Sequence, residues 1–91
     1  MAHTIIKRII VGKKDEPTLI AEKLIDTDAD IVVLAIAKGA KFSDSISNFR
    51  LIKREAEVLK KTVSIESVDP VVLRLAEEAE LPAEETAAGP V

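Results

Sequence analysis

The sequence predicts a small α/β domain, a Rossmann-like β-α-β-α-β-α unit built on a three-stranded parallel sheet. Three observations carry this expectation. Ile31–Ala37 is an apolar run with no polar break, the signature of an inner strand of a helix-covered parallel sheet. Segments of strand length alternate along the chain with segments of helical period, and that alternation implies parallel strands joined by right-handed crossovers. Pro17 and Asp69-Pro70 stand where helices are expected to start after a strand.

Thr4–Val11 reads as the first strand, rich in Ile and Val but interrupted by Lys7 and Arg8, and therefore less buried than the second. Gly12-Lys13-Lys14-Asp15-Glu16 is a turn ending in an acidic residue before Pro17. Leu19, Ile20, Ala21, Leu24 and Ile25 then form the apolar face of a short first helix, which Asp26, Asp28 and Asp30 end. After the apolar second strand, Ser43 or Asp44 is the expected cap of a second helix. Its core stripe is Ile46, Phe49, Ile52, Ala56 and Leu59. Thr62–Val68 alternates apolar and polar residues, as a strand with one wet face does, and suits a sheet edge. Asp69 caps a third helix with Pro70 at its first position and Val72, Leu75, Ala76 and Ala79 facing the core. The domain is expected to span residues 1–81. Residues 82–91, rich in Ala, Glu and Pro, read as a flexible tail or the start of a linker. With the second strand central, the order is 1-2-3, the first two helices share one face, and the third is left to cover the other; the alternative, a 2-1-3 order, covers both faces better but puts the charged first strand in the middle.

Three further features narrow the function. The chain has 91 residues, enough for one core and a shallow surface site rather than a large enclosed one. It contains no cysteine, which removes disulfides, thiol catalysis and cysteine-ligated metal. No apolar run is long enough to span a bilayer and no export signal precedes the first strand, so a cytoplasmic location is expected. The net charge of −3 includes two carboxylates in the last ten residues. The remaining body is close to neutral and has two aromatic residues, Phe42 and Phe49, a poor platform for stacking bases.

From Asp30 the strings DIVVLAIAKGAKF, NFRLIKREAEVLKK and TVSIESVDPVVLRLAEEAEL resemble a family of largely uncharacterised bacterial Rossmann-like α/β domains. Some of its members are labelled baseplate-J-like and form the amino-terminal part of longer, membrane-anchored proteins. The resemblance covers residues 30–81 and implies the fold but no catalytic residue. Ala37 departs from the proline of the family pattern, and Glu80-Leu81 from its Gly-Ile.

The strand ends bring candidate anion-binding residues to one rim: Gly12, Lys13 and Lys14 from the first loop, and Lys38, Gly39, Ala40 and Lys41 from the second, with Ser67 and Asp69 at the end of the third strand beside them. Ammonium groups and loop amides there would suit a phosphate, although neither loop carries a dinucleotide or P-loop fingerprint. Arg50, Lys53, Arg54, Lys60 and Lys61 on the second helix are interleaved with Glu55 and Glu57 and read as a solvated face. His3 has no companion ligand, the Asp26-Asp28-Asp30 loop lacks the glycine and distal glutamate of a calcium site, and Ser43, Ser45 and Ser47 have no base to activate them. The resulting expectation is a non-enzymatic interaction or assembly domain, without cofactor or metal. Its partner is a protein, which includes a second copy of itself, and nucleic acid is not expected. The alternative is a small nucleotide- or phosphate-binding domain using the rim.

Overall fold

The computed structural model describes residues 4–86. It is an α/β fold with a parallel sheet and three helices, in the order β1 (Ile6–Val11), α1 (Pro17–Asp26), β2 (Ile31–Ile36), a 3-10 turn (Lys41–Asp44), α2 (Ile46–Leu59), β3 (Thr62–Ser67), α3 (Pro70–Glu78) and β4 (Ala83–Glu85). The strands lie side by side in sequence order, every neighbouring pair parallel, with Val11 beside Ile36, Leu34 beside Ile65, and Glu66 beside Glu84.

The fourth strand corrects the expected three-stranded sheet. It contains no bulky apolar residue and all three of its side chains are exposed, so no hydrophobic pattern announces it. Backbone hydrogen bonds hold it: Ile65 N–H donates to the Pro82 carbonyl at 2.8 Å and Thr86 N–H to the Ser67 carbonyl at 3.1 Å. The chain reaches this position because Glu80 takes a left-handed φ of 62° just before the buried Leu81, reversing direction after α3. Glycine is the ordinary residue for that conformation. β3 is consequently an inner strand rather than the expected edge. Of the residues read as tail, 83–85 form β4, and 87–91 lie outside the described residues.

The same strand changes the layering. Each helix connects adjacent parallel strands, always stepping in one direction across the sheet, so right-handed crossovers place all three on one face. Alternation within the strands agrees. Ile9, Val11, Val32, Leu34, Ile36, Val63, Ile65 and Ser67 are buried beneath the helices, whereas Ile6, Arg8 and Ile10 on the opposite face are exposed. The expectation that α3 covers the second face is therefore overturned.

The core lies between sheet and helices. Phe42 and Phe49, both fully buried, meet edge to face with ring centroids 5.0 Å apart, a favoured aromatic geometry. Ile20 and Leu24 of α1, Ile52 and Ala56 of α2, and Val72 and Ala76 of α3 complete it. Ser45 caps α2, its side chain accepting the Ser47 N–H at 3.1 Å. Ser43 and Asp44, the expected caps, instead lie in the 3-10 turn. Lys61 ties the far end of the sheet together by donating from Nζ to the carbonyls of Thr27 and Ala29 at 2.8 and 2.6 Å.

Candidate functional site

Two surfaces come from this architecture: the rim at the carboxyl ends of the strands and the uncovered face of the sheet. The rim does bring its predicted loops together. Lys41 N–H donates to the Lys13 carbonyl at 2.8 Å, and Ala37 N–H to the Val11 carbonyl at 3.0 Å. Gly39 adopts φ 69° with open space around its Cα, a turn that an L side chain strains.

The rim amides, however, already donate to the chain's own carboxylates. Gly12 N–H donates to Asp15 Oδ2 at 2.7 Å and Gly39 N–H to Asp69 Oδ2 at 2.9 Å. Asp69 also accepts the Val71 N–H on Oδ1 at 2.9 Å, as the amino cap of α3. Its own N–H donates to Ser67 Oγ, whose hydroxyl donates to the Ile36 carbonyl at 2.7 Å. Asp69 is 7% exposed. The Gly39 amide above all, then the Val71 amide and the Lys38 charge, hold its carboxyl below the ordinary aspartate value against the opposing effect of burial. A negative charge thus occupies the place beside the α3 amino terminus where a phosphate would sit. Lys41 Nζ lies 2.6 Å from Glu16 Oε1, a hydrogen bond and charge that raise its pKa. Ala40 is buried and belongs to the core, while Lys13, Lys14 and Lys38 are exposed. Sequence reasoning placed Asp69 as a cap but missed its second role as the anion held by the Gly39 loop, since that contact spans thirty positions.

The uncovered face has a different character. Ile6 and Ile10 of β1 are 64% and 57% exposed. Ile31, Val33 and Ala35 of β2 are half-buried beside them, and Thr62, Ser64 and Glu66 continue the face on β3. Arg8 reaches across β2 to Glu66, with Nε donating to Oε1 at 2.7 Å. A shallow depression there is lined by Arg8, Ile10, Ala35, Glu66 and Thr86. Glu84 of β4, in register with Glu66, adds a second carboxylate at the outer side. The face is thus an apolar centre on β1 and β2 with a polar margin. A groove of about 440 Å³ adjoins it, running along the outer edge of β1 beside Lys23, Asp26 and Thr27.

The other candidates do not converge. On α2, Arg50, Lys53 and Arg54 share a surface with Glu57 and Glu78, a mixed-charge strip as expected. Among the described residues no three acidic or histidine side chains gather into a possible metal site, no buried side-chain polar atom lacks a partner, and no helix is long and apolar enough to cross a membrane. His3 lies outside the described residues.

Comparison with known proteins adds a partial likeness. No family model matches the chain, and no solved structure matches it. A segment of 51 residues, 56% of this chain, is 41% identical to ribosomal RNA small subunit methyltransferase H of Thermotoga neapolitana. The matched segment spans 17% of that protein, so the chain covers well under two thirds of the curated relative. The likeness is to part of an enzyme and bears mildly against reading the chain as non-catalytic; over so short a share it carries neither activity nor substrate.

Proposed function

We propose that this chain is a non-enzymatic interaction and assembly domain that docks a protein through the uncovered face of its sheet. One observation carries the reading: a parallel sheet, an element normally covered on both faces, has its helices on one side and presents isoleucines on the other. Contiguous exposed apolar surface rimmed by polar residues is the mark of an interaction site. The strand-end rim supports the phosphate-binding alternative less well, because Asp15 and Asp69 already accept the two glycine amides.

The chain contains no cysteine, which makes a single introduced thiol a clean probe. Ile10→Cys is expected to be protected from a maleimide in the cells that make the protein and to react freely in dilute purified protein. Val58→Cys, at an α2 position 72% exposed, serves as the control that reacts in both. Equal reactivity of the two thiols in cells would overturn the reading.

The segment shared with a ribosomal RNA methyltransferase favours a second reading, in which the domain works beside RNA. Binding of a ribosomal RNA fragment that weakens steeply with salt would support it. No binding at low salt would dismiss it.

A further inference from the structure

We infer that the occupant of the uncovered face is a second copy of this chain, stacked face to face about a two-fold axis that runs along β2. The inference rests on the docking reading above and names its partner.

The argument is charge complementarity about one line. The Arg8–Glu66 pair straddles β2, with the cation on β1 and the carboxylate on β3, and Ala35, a small side chain, lies on the same face between those strands. A two-fold axis parallel to the strands and above β2 keeps strand direction and exchanges left for right. β1 of one copy then lies over β3 of the other, and β2 lies over β2. By register Arg8 lies over Ser64 and Ile10 over Glu66 of the second copy, but the Arg8 side chain already reaches along the strands to Glu66, so each guanidinium is placed between its own Glu66 and that of the second copy, which closes a ring of two cations and two carboxylates of alternating sign. Ile31, Val33 and Ala35 meet their own equivalents at the centre, as a self-complementary interface requires. A two-fold axis across the strands fails this test, because it sets Arg8 over Arg8 when Val33 lies on the axis.

The area sets the strength. Three six-residue strands at about 4.8 Å spacing and about 3.3 Å rise offer roughly 300 Å² of plan area per copy, well under the ~800 Å² per partner of a standard stable complex. The dimer is accordingly weak and reversible, and is lost on dilution.

A charge swap tests this. Arg8→Glu gives a copy whose ring positions are both acidic, and Glu66→Arg a copy in which both are basic. Each alone would place four like charges around the axis, whereas in the mixture both contacts between copies pair an acidic with a basic side chain. Light scattering of the unaltered chain is expected to rise with concentration and to stop at twice the monomer mass. Each variant is expected to stay monomeric, and an equimolar mixture to dimerise at least tenfold more tightly than either variant alone. Both substitutions lie at solvent-facing positions, and circular dichroism of each variant establishes that it is folded. A mixture no tighter than its components would overturn the inference. So would a mass that grows past two copies, which would instead indicate pairing of the basic β1 edge with the acidic β4 edge. If the unaltered chain is monomeric throughout while the Ile10→Cys thiol is protected in cells, the second copy is ruled out and the docking reading stands; if that thiol is also unprotected, both fall.

Discussion

Replacing Asp69 tests how the strand-end rim is held together. Its two carboxylate oxygens serve different donors, Oδ2 the Gly39 amide and Oδ1 the Val71 amide at the start of α3. Alanine removes both. Loss of an amino cap costs about 1 kcal/mol and a part-buried amide left without an acceptor about 1–3 kcal/mol, so Asp69→Ala should lower the unfolding free energy by about 2–4 kcal/mol. Asp69→Asn keeps one carbonyl oxygen where two are needed, and should lose about half as much, roughly 1–2 kcal/mol. The pH dependence has a definite sign. The folded carboxyl is held below its ordinary value, so the unfolded chain binds the proton more readily. The stabilisation is present in full above about pH 4 and is lost as pH falls through the lower folded-state value. The gap between the unaltered chain and Asp69→Ala should therefore narrow as the pH falls below the ordinary aspartate value. With no Trp or Tyr in the chain, urea unfolding is followed by far-ultraviolet circular dichroism. A cost under about 0.5 kcal/mol at neutral pH, within the range of ordinary surface substitutions, or a gap that does not narrow in acid, would refute this account of the rim.

The same variant frees the Gly39 amide: millimolar phosphate should raise the melting temperature of Asp69→Ala and leave the unaltered chain unchanged, which thermal scans with and without phosphate decide. Phe49→Ala, at a fully buried ring packed edge to face on Phe42, should cost about 3–5 kcal/mol in urea unfolding. Lys61→Met keeps the aliphatic stem but removes the donor to the Thr27 and Ala29 carbonyls, and should cost about 1–3 kcal/mol and speed amide exchange in that turn. Glu80→Gly relieves a left-handed non-glycine residue at φ 62° and should raise stability by up to about 1 kcal/mol.

How much of this was legible in the sequence depended on whether side chains or backbone made the structure. The three helices and three longer strands were legible because their apolar residues recur at the period of the element, and because Pro17, Asp69 and Pro70 mark helix starts in side-chain chemistry. The first strand is less buried than the second, as its charged residues predict, because Lys7 and Arg8 sit on an edge strand with one face in water. Ser45 escaped notice because Ser43, Asp44 and Ser45 all have capping chemistry, and only the 3-10 turn across the first two hands the cap to the third. Strand alternation brings the Gly39 loop and Asp69 to one rim, but the hydrogen bond between them joins residues thirty positions apart that no local pattern pairs.

The error with the largest consequence came from three residues. Ala83-Glu84-Glu85 carries no hydrophobic signal, since exposed edge pairing needs only backbone donors and acceptors. Yet its presence turns α3 from a terminal helix, free to fold over either face, into a crossover between neighbouring strands. Right-handedness then assigns α3 to the face that α1 and α2 already occupy. The unbroken apolar β2 run predicts burial on both sides, and that expectation still has physical force. Val32, Leu34 and Ile36 are covered by the helices, while Ile31, Val33 and Ala35 face outward only half-buried. A strand whose two faces are both apolar, in a sheet covered on one side, retains the pattern of a two-sided core. That residual mismatch between pattern and cover is the strongest physical reason to look for the missing layer on β2, where the Arg8–Glu66 pair crosses the sheet.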